Sequence, residues 1–286
     1  MTQVLINGLL LGANYALLAL GYTLVFGVMH LLTLAHGEVF MAAGLLALIV
    51  ASESTPLWLA ALIAIAVGAA LSIATDYVSF RPVGYARPIA AAVSTIGFAI
   101  LIQNATLQIR GSSTAVAVPF DLPASDISIG DTLISVTQLV SLGVAIVVMV
   151  ATHQFVHRTK WGMAMRAFAH DAETVALLGV PVRRLTVLTL GLAGALAGLA
   201  AFLLAVRIGS ASPLNGLGIG LIGLAVMTIG GLGSLTGAMV AGVGLGVIQS
   251  YAAYFGLTGF QAAIPWMLLV LVLLVRPRGL LPTTQA

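Results

Sequence analysis

The acid of greatest chemical interest in this chain is Glu38, because it opens an apolar run instead of lying in a polar loop. An acid at the centre of a spanning helix costs about 2.5 to 3.5 kcal/mol on insertion scales, so such a group faces a partner or a wet cavity. Two readings of Glu38 follow. It gates a pathway or couples helices along it, or it lies at the cytoplasmic interface and caps the short helix from Val39 to Ala51, where the helix dipole favours an acid. His36 shares the neighbourhood, but a metal held by His30 and His36 would need more ligands than the surrounding sequence provides. Thr95, Gln103 and Asn104 are uncharged polar groups within another apolar run. They could line a passage for a zwitterion with an apolar side chain, or hydrogen-bond neighbouring helices.

Other chemistries lack their residues. A phosphate-binding loop of the form G-x-x-x-x-G-K-[ST] places glycine before its lysine and a hydroxyl after it. The single lysine, Lys160, follows Thr159 and precedes Trp161. No Gly-x-Ser-x-Gly elbow occurs, the histidines are scattered, and there is no cysteine. The expectation is a non-catalytic chain without cofactor or metal.

The elements that position these residues are set by the solvent. Apolar residues make up 60% of the 286 residues and charged ones 7%, with a mean hydropathy of +1.15, too little charge to keep a soluble particle in water. Runs of 22 uncharged residues separate Glu53 from Asp76, Arg87 from Arg110 and Arg184 from Arg207. Each fits one helix, since about 20 residues cross a ~30 Å hydrocarbon core. Another span fits between Asp131 and Arg158, and Ile208 to Val275, 68 residues without formal charge, holds about three. Met1 to Gly37 holds a long retained first span, roughly Val4 to Met29, followed by a shorter run from about Val39 to Ala51. The fold expected is all-α, a polytopic transmembrane bundle of about eight to nine membrane segments in one domain over residues 1–286. The short run after Glu38 and the Gly-rich tract from Gly216 to Gly237 are the candidates for broken or re-entrant helices. Small residues four apart, as in Gly8 and Gly12, Gly194 and Gly198, or Gly242 and Gly246, are read as packing seams within the bundle.

Nine of the eleven basic residues fall on one face if the segments alternate: Arg81, Arg87, Arg158, Lys160, Arg166, Arg183, Arg184, Arg276 and Arg278. The positive-inside rule makes that face cytoplasmic, with Arg110 and Arg207 left outside. The opposite loops carry Glu53, Asp121 and Asp126. The basic character reflects contact with membrane lipid, not nucleic acid, since no basic run is interleaved with base-stacking aromatics. Between about 157 and 185 continuous apolarity gives way to an amphipathic pattern. Met165, Phe168, Ala169, Ala172 and Val175 lie on one side, and Arg166, His170 and Glu173 on another. Asp171 reads as an N-cap, Glu173 as a first-turn acid, and Gly179 with Pro181 as a helix stop. This segment is either a solvated connector or a docking helix for a cytoplasmic partner.

The stretch from Arg166 through Gly179 to Pro181 resembles the coupling loop of permease subunits in branched-chain amino acid ABC importers. Four further stretches are similar to that family's pattern, in the same order: Leu34-Ala-His-Gly-Glu-Val-Phe-Met41, Ser94 to Asn104, Ile229 to Gly237, and Arg276-Pro-Arg-Gly-Leu280. The resemblance spans nearly the whole chain and favours the shorter of two homologous permeases. It implies a multi-pass protein of the bacterial inner membrane, partnered by a second permease, two cytoplasmic ATPases and a periplasmic solute-binding protein. Arg166, Asp171, Glu173 and Gly179 would then form the ATPase-coupling loop, with His36, Glu38, Thr95, Gln103 and Asn104 as pathway or gating candidates. Permeases for urea and short amides are similar enough to leave the substrate open between them and branched-chain or other amino acids. An ion-coupled secondary transporter built on Glu38 and a passive channel are the rival mechanisms.

Overall fold

A computed structural model describes residues 1–51, 54–85, 87–120, 126–129 and 132–281, without the side chains of 126–134. Glu53, Asp121 and Asp131 lie outside the described residues. Apolar runs in lipid must satisfy their own backbone groups, and here they do so as helices. Six are long enough to cross a bilayer. They are α1 (Thr2–Met29), α3 (Leu57–Thr75, prolonged by a π turn at Asp76–Phe80 and by α4, Arg81–Val83), α5 (Pro88–Arg110), α6 (Val136–Arg158), α9 (Val182–Ile208) and α11 (Leu235–Tyr254). Three apolar helices are shorter: α2 (His36–Val50), α10 (Gly216–Gly230) and α12 (Ile264–Val275). Two more, α7 (Lys160–His170) and α8 (Ala172–Leu177), connect α6 to α9. The small strands β1 (Val116–Ala117) and β4 (Ser210–Ala211) pair antiparallel, as do β2 (Asp126–Ile129) and β3 (Thr132–Ser135).

α1 and α9 form the buried centre and run antiparallel, with Gly21 against the Ala193 carbonyl and Arg207 bonded to the Asn7 carbonyl. α11 packs antiparallel on α1, and α3 antiparallel on α9, each through a glycine seam. A Cβ on Gly12 would lie 2.6 Å from the Val243 Cα, and one on Gly194 would strike the Gly68 carbonyl. Two of the seams read from the sequence pair with each other inside the chain, Gly8 and Gly12 meeting Gly246, while the third, Gly194 and Gly198, meets Gly68 and Ala64. Dispersion and close backbone approach hold such contacts, because lipid provides no hydrophobic drive between helices.

The order long, half-length, long recurs with inverted direction. α1, α2 and α3 correspond to α9, α10 and α11, and the pairings correspond too: α1 with α11 mirrors α9 with α3, and α5 on α2 mirrors α12 on α10. α1 and α9 both end on a left-handed residue, His30 and Gly209, from which the chain turns back. This is an inverted repeat, an arrangement that brings the starts of broken helices together near mid-membrane.

The elements bearing the nine basic residues gather at one end. Gly27 of α1 meets Gly233 before α11, Val28 packs with Met165 and Leu185, and Gly231 touches the Arg278 and Leu281 carbonyls. There Asp76, fully buried, pairs with Arg81 at 2.6 Å and accepts a 2.5 Å hydrogen bond from the Tyr85 hydroxyl. The Arg81 guanidinium also stacks 3.8 Å from the centre of the Tyr77 ring. Burial, followed by the Asp76 carboxylate, pushes the Tyr85 hydroxyl up to about 12.

Candidate functional site

The half-helices α2 and α10 meet start to start. Gly37 faces the Gly216 carbonyl and Gly220, where an added Cβ would lie 2.7 Å from the Gly220 Cα. Only glycines allow this approach, since the obstacle on each side is backbone. His36 reaches this junction because residues 30–35 fold back from the end of α1. Its ring stands edge-on to Tyr22 with centroids 4.6 Å apart, and lies against Gly21. Glu38 is 4% exposed and points at the first turn of α10, with the Leu217 backbone N–H facing it and Oε2 without a hydrogen-bond partner.

The dipoles explain how a carboxylate sits there. Each helix N-terminus carries roughly +0.5 charge. The starts of α2 and α10 both turn their positive ends toward this one acid. The acid thus stands in the first turn of its own helix and at the mouth of a second one. Among the described residues no basic side chain forms an ion pair with it.

The expected pathway residues divide. Thr95 is buried, accepts a 2.9 Å bond from the Leu34 backbone N–H and donates to the Ala92 carbonyl at 2.6 Å. It therefore fastens the turned-back segment that carries His36 and Glu38. Asn104 is exposed on the outer side of α5 and bonds the Ile100 carbonyl of its own helix, and Gln103 is half-buried one residue earlier. α5 meets α2 through Phe98, Ala99 and Ile102, so neither amide joins the junction.

The basic connector is built as a second site. Thr159 ends α6 and starts α7: its hydroxyl donates to the Phe155 carbonyl at 2.7 Å and accepts from the Gly162 N–H at 3.0 Å. Met165 anchors α7 against Val28 and Leu185. The single amphipathic run breaks at Asp171. The Asp171 carboxylate accepts 3.0 Å bonds from the Glu173 and Thr174 N–H groups and one from the Thr174 hydroxyl. That hydroxyl, foremost, holds the Asp171 carboxyl below the usual range. Gly179, at φ 80°, closes α8 with its N–H on the Ala176 carbonyl, and Pro181 follows. Glu173 is exposed beside the cap, whereas Arg166 turns away, bonds the His157 carbonyl at 3.2 Å and lines a cavity of about 680 Å³. Leu177 and Leu178, at the tip, are 87% and 76% exposed, a feature the sequence pattern did not single out. Its signal was two adjacent leucines just before a glycine stop.

Comparison with known proteins assigns this architecture. A model of the family "Branched-chain amino acid transport system / permease component" matches residues 4–275. The chain belongs to that family. It is 34% identical to the high-affinity branched-chain amino acid transport system permease protein BraD of Pseudomonas aeruginosa, over 98% of this chain and 95% of that protein. To the permease protein LivH of Salmonella typhimurium it is 32% identical over 98% and 94%. The ribose import permease protein RbsC of Escherichia coli is 26% identical over 91% of this chain and 81% of its own length. A chain of PsaBC from Streptococcus pneumoniae in complex with Fab shares the fold, with a TM-score of 0.52 at 12% identity, covering 97% of this chain and 92% of that one. This permease-family chain is thus a multi-pass membrane protein, and its relatives are transport components.

Proposed function

We propose that this chain is one of two permease subunits of a binding-protein-dependent ABC importer in the bacterial inner membrane, carrying branched-chain amino acids inward. Its basic end is cytoplasmic. Two separate ATPases dock on α7 and α8, a second homologous permease completes the pathway, and a solute-binding protein delivers the substrate from outside. The observation that carries the ATPase reading is the α8 tip, where a capped, glycine-terminated helix leaves Leu177 and Leu178 uncovered by the rest of the chain. Exposed leucines at a rigid tip fit a hydrophobic cleft on a partner, where fully burying one leucine side chain is worth about 1.5–3 kcal/mol.

In this mechanism the motion of the ATPases is transmitted from α8 through α7 and Met165 to the ends of α1 and α9. The junction of α2 and α10 is the bistable element proposed to respond, because dipoles and one acid hold it without an ion pair. Gln103 and Asn104 remain proposed pathway groups at an interface with the second permease. The reading is tested by reconstituting the chain with its neighbouring permease, ATPases and binding protein and measuring ATP-dependent leucine uptake. Leu177→Glu with Leu178→Glu should remove ATPase co-purification, and Glu173→Lys should weaken it. Uptake by this chain alone, or unchanged co-purification of the double variant, overturns the proposal.

A further inference from the structure

Arg207, like Arg110, is out of place by the charge rule that orders the other nine basic residues. It lies at the end opposite the basic one, near the end of α9, half-buried, with its guanidinium on the Asn7 carbonyl of α1. Its hydrogen bond is a long one, 3.4 Å to the Asn7 carbonyl, and among the described residues the ion pair formed is that of Arg81 with Asp76. Cations turned into a membrane bundle pair with acids or backbone carbonyls and mark candidate substrate sites.

A cavity of about 140 Å³, partly open to the outside, adjoins it between α1, α6 and α9. Its polar wall is Arg207, Asn14, Gln138 and Ser141 together with Ser135 and Thr137, and its apolar wall includes Leu10, Leu142 and Leu203. Asn14 is 6% exposed; its amide Nδ2 donates to the Leu10 carbonyl at 2.9 Å, while Oδ1 has no partner. The cavity therefore sets a forked cation and a free, buried acceptor against an aliphatic surface.

We propose that this cavity is a subsite for the zwitterionic head of an aliphatic amino acid. The carboxylate lies on the Arg207 fork, which suits two parallel N–H···O bonds. The ammonium donates to Asn14 Oδ1, with Gln138 beside it, and the aliphatic chain lies along Leu10, Leu142 and Leu203. The volume agrees with a small guest, since a dry cavity of about 150 Å³ takes up benzene. A branched side chain extends toward the open side. This inference rests on reading the chain as an amino-acid permease, and it adds a station within the subunit, short of the α2–α10 junction.

The absence of native cysteine makes a direct test available. Ser141→Cys is introduced into the full chain, reconstituted with its partners, and labelled with a thiol reagent in the presence of leucine or of leucinamide, which lacks the carboxylate. Leucine should slow labelling and leucinamide should not. Adding Arg207→Gln should raise the leucine concentration needed for protection about tenfold or more, the loss expected of a charge-assisted bond, and Arg207→Lys should recover part of it. Gln138→Ala, on the less buried α6, provides a variant independent of the central helices and should weaken protection in the same direction. Equal protection by leucine and leucinamide, or protection indifferent to Arg207→Gln, overturns the subsite. If those results accompany ATP-driven leucine uptake by the wild-type complex, the permease reading stands without the subsite. If the wild-type complex takes up no leucine, the permease reading fails first, whatever the labelling shows.

Discussion

The backbone N–H of Leu34 donates a 2.9 Å hydrogen bond to the hydroxyl of Thr95, 61 residues further on in the chain. Residues 30–35 make no helix, so their N–H groups need partners that the segment cannot provide itself. Thr95→Val keeps the shape and removes the acceptor, leaving a half-buried donor unpaired at a cost of about 1 kcal/mol. The thermal midpoint of the purified protein in detergent should fall, and Thr95→Ser should restore it. Equal midpoints for the valine and serine variants would show that the bond holds nothing.

Gly37→Ala should be among the most damaging single-methyl changes in the chain. The new Cβ meets the Gly216 carbonyl and the Gly220 backbone, neither of which can turn aside like a side chain. Overpacking of this kind costs about 1–3 kcal/mol, and here it also pries the two helix starts apart. Reduced yield of folded protein in size-exclusion chromatography is expected, together with lost uptake in whatever protein remains.

The seam between α3 and α9 makes a matched pair of predictions. Gly194→Ala drives a methyl into the Gly68 carbonyl and Ser72, whereas Gly143→Ala on α6 meets nothing within 4 Å. The first should lower thermal stability clearly. The second should leave it unchanged or raise it by up to about 1 kcal/mol, the helix preference of alanine over glycine. Equal effects would mean that close backbone approach is not what joins these helices.

Asp171 ties the order of α8 to acidity. Its folded carboxyl titrates below the unfolded value of about 3.9, so the cap is complete above that pH and is lost as pH falls through the lower folded value. Amide exchange over residues 172–178, corrected for intrinsic rates, should stay slow from pH 7 to 5 and accelerate below 4. Asp171→Ala should exchange faster at pH 7 and lose that acid step.

The charges made much of this legible in advance. Their gaps gave the long spans, and their clustering from Arg158 to Arg184 marked the connector, whose cap at Asp171 and stop at Gly179 follow local rules that sequence carries well. The shortness of the run after Glu38 and the Gly216 tract pointed to broken helices for the same reason. Which broken helix meets which could not be read, because Gly37 and Gly220 lie far apart in sequence and each glycine is explained chiefly by the other. Thr95 illustrates the same limit: a polar residue in an apolar run signals a partner, but not whether the partner is a substrate or a backbone amide. Asn14 carried no signal, and Arg207 stood out only as a charge on the far face, because their shared cavity exists only once α1, α6 and α9 are assembled.

The meeting of Glu38 with the start of α10 also sets a schedule for biogenesis. While the ribosome is still making the middle of the chain, α1 to α3 hold an acid whose second compensating helix start does not yet exist, and α1 lacks its glycine partner α11. The first half should accordingly stay near the translocon, soluble in lipid but not settled, until Gly216 emerges. A chain truncated before α10 would be expected to be cleared by membrane proteases, not to persist as a stable half-bundle.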